Sequence, residues 1–398
     1  MTNKPIQKIL FGSPGTGKSH RIKNKYAVNL EIEINSENYV PTVFHPEYTY
    51  GDFMGKLMPL TNEKGTVEYK FYAGHFLKAL GMAYKNLISA SLQYEKAKKE
   101  VLDKFKKEIS ITRQDEFTTE HIIELEKRYA LISRKIQNVL LVIDEINRGN
   151  SAAVFGTVFQ LLDRKNTGWS DYPIALSDLE TKTLLKELGL HQEERSGNTR
   201  YIRKESSNSK EEILEEKEYK AILESITFGL DDKDKFDLNR NYIKIPPNLS
   251  LLATMNTSDN SIYFMDNAFK RRWDWEFVDV DDDDQRESVA NRKVMLYGIE
   301  KCTWVELVGK LNEYIRSKHK DIRKIEDKQI GYRFINEETI TEEHLKNKLM
   351  FFLWDSVFGN NKKPLADLLG VAESEIVTFG QFTRKEQVEN FVDKILTR

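Results

Sequence analysis

The chain has 398 residues, 61 of them Lys or Arg and 63 Asp or Glu, for a net charge of −2. That balance gives no support to polyanion binding by overall charge, and 39% hydrophobic with 31% charged residues reads as a soluble globular chain of two or three domains, or one large domain with a lid. One cysteine, Cys302, excludes an internal disulfide and a Cys-rich zinc site. The opening MTNKPIQ lacks the apolar core of a signal peptide and the longest apolar runs are strand-sized, so a cytoplasmic, non-membrane protein is expected.

In chain order, the apolar run Lys8–Phe11 predicts a buried strand entering GSPGTGKS (residues 12–19), and a helix is expected from about Gly17, with Lys18, Ser19 and His20 on its first turn. Pro41–Phe44 predicts a second strand. A charged helical stretch follows over about 85–137, with Tyr94, Ala97, Val101 and Phe105 as an apolar stripe and six lysines between Lys96 and Lys107. It reads as a solvated helical hairpin, with a DNA or partner surface as the alternative. Val139–Ile143 predicts a third strand. The next insertion, about 175–240, contains RSGNTRYIRKESSNSKEE and has the polarity of an exposed loop, in which Arg195, Arg200, Arg203 and Lys204 are placed to meet phosphates if the loop binds any. Leu249–Thr254 and Trp275–Val280 complete five strands. The acidic run DVDDDD reads as a solvated link to a helical C-terminal third, 285–398. Strands alternating with helices predict an α/β fold with a parallel sheet, the nucleotide-binding domain spanning 1–280.

The chemistry sits in four stretches. GSPGTGKS matches the phosphate-loop pattern at every fixed position, so Gly12, Ser13, Pro14, Gly15, Thr16, Gly17, Lys18 and Ser19 form the expected nucleotide-binding set. Its glycines let successive backbone N–H groups point at phosphate oxygens, Lys18 bridges the β- and γ-phosphates, and the Ser19 hydroxyl ligates Mg²⁺. In LLVIDEINRGN (140–150), Asp144 at the end of a strand is directed toward Mg²⁺ and Glu145 toward the attacking water. In TMNTSD, Asn256 at a strand end either marks a turn or orients that water, with Asp259 holding the loop. In AFKRRW, Arg271 and Arg272 either complement a helix C-terminus or stabilise phosphoryl charge from a neighbouring subunit.

GSPGTGKS, FHPEYTYGDF (44–53), DEINRGN (144–150), MNTSDNSI (255–262) and the AFKRRW turn, in this order, resemble the McrB family of AAA+ proteins, the motors of modified-cytosine-dependent restriction systems. IGYRF (330–334) and LMFFLWDSVF (349–358) look like that family's lid. The resemblance implies an AAA+ P-loop NTPase core with a helical insertion at about 85–137, a loop or hairpin insertion at about 175–240 and a C-terminal helical lid, assembled as a homo-oligomeric, hexameric ring. Nucleotide, GTP or ATP with Mg²⁺, is then bound between subunits. Asp144 and Glu145 would be the Walker B pair, Asn256 the water-positioning sensor, and Arg271 and Arg272 the arginines reaching a neighbour; Asn147 and Arg148 fit the DEINR signature at the same interface. The chain departs from the family's MNTADR in carrying Asn260 where that motif ends in arginine.

The familiar members carry a DNA-recognition domain before this core, and eleven residues precede the loop here, so DNA is expected to be reached through a separate targeting subunit, through the charged insertions, or through a domain of a longer chain of which this is a part. Glu180-Thr-Lys182 and Glu326-Asp-Lys328 match the E-x-K letters of a nuclease centre, as chance allows in so charged a chain, and cleavage is assigned to a McrC-like partner. The competing expectations are a MoxR-like ATPase that remodels proteins, and a slow nucleotide-gated scaffold for a nuclease.

Overall fold

The computed structural model describes residues 4–61, 65–110, 117–132, 135–195, 198–204, 210–228, 230–257, 263–322 and 324–398. It is a mixed α/β structure around a five-stranded sheet, whose strands are β1 (Gln7–Gly12), β2 (Tyr39–Val43), β3 (Val139–Asp144), β4 (Leu249–Asn256) and β5 (Asp274–Phe277). Their order is β5-β1-β4-β3-β2. All five lie where alternation of apolar runs with helical segments predicts them. β2 and β3 run parallel, Tyr39 opposite Leu140 through Val43 opposite Asp144. Val139, Leu140, Leu141 and Ile143 are fully buried, the near-continuous apolar run expected of a strand covered on both faces. Backbone contacts divide the chain into two compact units, Met1–Gln7 with Lys25–Leu252 and Tyr263–Asp274, and Lys8–Asn24 with Ala253–Ile262 and Trp275–Arg398.

In the first unit the helix His75–Glu108 is the longest element, 34 residues. It starts ten residues before the predicted insertion because its first turns are core: Phe76, Leu77, Leu80 and Tyr84 are fully buried. Tyr84 Oη donates to the Lys244 carbonyl at 2.5 Å, fixing the helix to the segment leading into β4. Its outer half pairs with the helix Thr119–Ala130, and the stripe residue Phe105 packs edge-on against Phe117 and His121 with the Arg128 guanidinium over its ring. An antiparallel hairpin that sequence reading did not separate, Gly55–Thr61 with Val67–Ala73, precedes the long helix.

Within 175–240, where polarity suggests an exposed loop and the resemblance a hairpin, the chain forms a three-stranded antiparallel sheet of Leu190–Arg195, Asn198–Arg203 and Glu212–Leu214. Alternation within TRYIR decides it: Ile202 is buried, while Arg200 sits opposite Glu193. Arg203 and Lys204 lie within 4.0 Å of Glu212 and Glu211, so these cations face carboxylates of the same insertion.

The C-terminal part of the second unit is packed around Trp304, Leu311 and Phe391, all fully buried. Its main helices are Trp304–Ser317, Lys363–Leu369 and Lys385–Leu396. Beyond the helices expected there, it holds a three-stranded sheet in which Lys293–Leu296 runs antiparallel to Ile299–Thr303 and parallel to Thr339–Thr341. Strands of three to five residues are too short for their periodicity to stand out in sequence.

Candidate nucleotide site

β1 delivers the chain into the glycine loop, and Gly15 and Gly17 take left-handed φ values of +76° and +77°. Side-chain-bearing residues disfavour that region, and glycine enters it freely. The helix then begins at Lys18 and continues through a π turn, Ile22–Tyr26. Lys18 is buried, and its ammonium donates to the carbonyls of Gly12 at 2.9 Å and Ser13 at 2.8 Å. Thr16 Oγ1 also donates to Ser13 O, at 3.0 Å. The loop is thus curled around its own lysine. Ser19 stands exposed on the first turn.

The same unit contributes contacts that sequence reading did not assign. Gly331 N donates to Pro14 O at 3.0 Å and Arg333 N to Gly15 O at 2.9 Å. Ser13 Oγ donates to the Glu326 carbonyl. The Arg333 guanidinium donates to Gln285 Oε1 and, at 2.9 Å, to Ser288 Oγ. Burial, then Arg333 and Lys23, pull the His20 pKa below its usual value, so the imidazole on the first turn is neutral at pH 7. IGYRF contained this signal only as a glycine in a polar-aromatic turn.

Asp144 is the last residue of β3. Glu145 follows with φ +57°, a left-handed backbone that costs a non-glycine residue about 1–2 kcal/mol. Arg148 N donates to Glu145 O at 2.9 Å, closing the turn, and Arg148 Nε stands 3.8 Å from Glu145 Oε2. Asn147 is buried, and its carbonyl accepts from Tyr263 N at 2.8 Å. FHPEYTYGDF lies beside this turn. Phe44 N donates to Asp144 O at 2.9 Å, the Phe44 ring stacks on Tyr48 at 4.6 Å, and Tyr48 Oη meets His75 Nδ1 at 2.8 Å. Burial raises the Tyr48 phenol to about 12. The motif is a packed aromatic knot supporting the end of β3.

The two arginines of AFKRRW are held differently. Arg272 binds Asp163 Oδ2 through Nη2 at 2.6 Å and Nε at 3.0 Å, donates to Ala268 O at 2.8 Å, and lies 3.8 Å over the Phe159 ring. Arg271 is exposed and has no ion pair or side-chain hydrogen bond among the described residues. Asn256 ends β4 and is half-buried. Asp259 and Asn260 lie outside the described residues. By unit, the phosphate loop and Asn256 belong together, and Asp144, Glu145, Asn147, Arg148, Arg271 and Arg272 belong together.

The acidic run is tied to cations: Asp282 pairs with Arg21, and Asp281 with Arg316 at 3.0 Å. Glu180 caps the helix Asp178–Glu187 and Glu326 lies on a 3₁₀ turn, so neither E-x-K match is on a strand. Among the described residues, no group of three His, Cys, Asp or Glu is placed to hold a metal, and no helix is long and apolar enough to cross a membrane.

No protein-family model matches the chain. Over 378 residues it is 27% identical to the Type II restriction enzyme BsuMI component YdiS of Bacillus subtilis (strain 168), a match covering 94% of this chain and 85% of that protein.

Proposed function

We propose that this chain is the nucleoside-triphosphate-hydrolysing subunit of a multi-component restriction enzyme, built on an AAA+ core of the kind the McrB resemblance implies. The observation that carries the reading is the curled glycine loop with Lys18 buried against the Gly12 and Ser13 carbonyls, its ammonium held at the loop's hollow. The likeness to a restriction-enzyme component, running nearly the whole chain, supports the system in which that site works.

In this reading the loop's N–H groups and Lys18 bind the β- and γ-phosphates of GTP or ATP. On the McrB resemblance, Ser19 and Asp144 would be the hydroxyl and the carboxylate that hold Mg²⁺, a cation that favours oxygen ligands. That ion supplies charge neutralisation on the phosphates. On the McrB resemblance, Glu145 would accept the proton of the attacking water and Asn256 would orient it. Arg271 and Arg272 belong to a site completed by a second copy of the chain, with Asn147, Arg148 and Asp259 at that interface. Hydrolysis then drives rearrangement of a hexameric ring, moving DNA or switching a McrC-like nuclease subunit.

The test is Glu145→Gln. It removes the base and keeps the charge-free shape, so the variant binds nucleotide as wild type does and turns over at least about 100-fold more slowly. Binding is read with a fluorescent nucleotide and turnover by phosphate release, for ATP and GTP in parallel. Wild-type turnover by this variant removes Glu145 from the chemistry.

A further inference from the structure

We infer that the turn Ile330–Phe334 is a working part of the phosphate site, and that Gly331 is a positioning residue for nucleotide binding. The inference rests on the nucleotide reading of the glycine loop and adds to it a part supplied from more than 300 residues away in the chain.

A peptide unit is planar and trans, so its C=O and N–H point in opposite directions. The Pro14 carbonyl shares a unit with the Gly15 N–H, and the Gly15 carbonyl with the Thr16 N–H. Gly331 N and Arg333 N hold those two carbonyls by hydrogen bonds of 3.0 and 2.9 Å. Whatever fixes the carbonyls on the loop's outer side aims the Gly15 and Thr16 N–H groups toward its hollow, where phosphate oxygens bind. A loop free of this strap would pay that orientation as entropy when the nucleotide arrives.

The turn is itself rigidly held. Asn312, fully buried, donates to Ile330 O at 2.8 Å and accepts from Ile330 N at 2.9 Å. The indole N–H of Trp304, also fully buried, donates to Tyr332 O at 2.8 Å. Between these anchors the backbone presents two N–H donors to the loop.

Only glycine allows the approach. A Cβ at Gly331 would lie 2.2 Å from Gly15 C, 2.3 Å from Gly15 O and 2.4 Å from Thr16 N, and a Cβ at Gly15 would lie 2.6 Å from Phe334 N. These clashes are with backbone, which has no flexible end to move aside. Gly331→Ala therefore separates turn from loop and frees the two peptide planes, while leaving every side chain of the loop in place.

The experiment uses the full chain: wild type, Gly331→Ala, Arg333→Ala and Arg333→Pro. Fluorescent ATP and GTP analogues with Mg²⁺ give affinity, phosphate release at saturating nucleotide gives turnover, and melting without nucleotide gives folding. Gly331→Ala should bind about tenfold more weakly while saturated turnover stays within about twofold of wild type; a purely structural role would not produce that split. Both Arg333 variants lack the guanidinium, but only proline also lacks the N–H, so Arg333→Pro should bind several-fold more weakly than Arg333→Ala. Should Gly331→Ala fail to fold, the Arg333 pair decides. Wild-type affinity in folded Gly331→Ala, or equal affinities in the Arg333 pair, overturns the strap while leaving nucleotide binding intact. A wild-type chain that binds neither nucleotide overturns the reading beneath it.

Discussion

Arg271 and Arg272 are neighbours in sequence with the same chemistry, yet their surroundings assign them different work. The Arg272 guanidinium is 8% exposed, bonded twice to Asp163 and stacked over Phe159, which in turn stacks on Phe269 at 6.0 Å. Losing it strips a charge-assisted pair and a cation–π contact from the turn that follows the short helix Asn267–Lys270. Arg272→Ala should cost about 2 kcal/mol of stability, taking hydrogen bonds to charged groups as the scale, and should lower turnover as well. Arg271 has no such partners among the described residues, so Arg271→Ala should change stability by no more than about 0.5 kcal/mol and act on turnover alone. Denaturant melts and phosphate release on the two variants separate these outcomes; equal destabilisation by both would show that the contacts of Arg272 carry no net energy.

At the scale of elements, the sequence was most readable where one strong pattern governs. The inner strands β3 and β4 are apolar runs buried on both faces, and GSPGTGKS and DEINRGN each follow directly on an apolar run. Elements with mixed faces were harder. In the hairpin Gly55–Thr61 with Val67–Ala73, Leu57, Met58 and Tyr69 are all 40% exposed or more, so neither face shows the alternation that identifies a half-buried strand. The three-stranded insertion hid behind its Ser, Asn and charged residues, whose carboxylates and cations pair across strands. The contact of the Ile330–Phe334 turn with the glycine loop was not readable at all, since both its donors are backbone N–H groups that leave no side-chain signature. The stripe of the helical insertion makes a quantitative claim. Phe105 is 3% exposed at the junction of the helices His75–Glu108 and Thr119–Ala130. Phe105→Ala should cost about 3 kcal/mol locally, raising hydrogen exchange in residues 119–130 while nucleotide affinity stays at its wild-type value. Unchanged exchange there would mean that other contacts hold the outer helix.

For the whole molecule, the claim with most consequence is that a complete site needs two chains. If a phosphate loop is completed by arginines from a neighbour, two defects that each abolish turnover must complement when the chains are mixed. A chain with Lys18→Ala lacks phosphate binding but keeps Arg271 and Arg272; a chain with both arginines changed to alanine keeps its phosphate loop. In a head-to-tail ring every interface pairs the loop of one chain with the arginines of the next, so random mixing in equal amounts makes about a quarter of the interfaces intact. Turnover in the mixture should therefore recover to about that fraction of wild type if each site fires independently, and to less if firing around the ring is coupled. Each variant alone should remain inactive at every concentration. The comparison needs the mixed chains to assemble, which light scattering of the mixture in the presence of nucleotide measures directly. Assembled mixtures that stay inactive would place the arginines with their own chain's nucleotide, and the subunit would then hydrolyse without its neighbour's help.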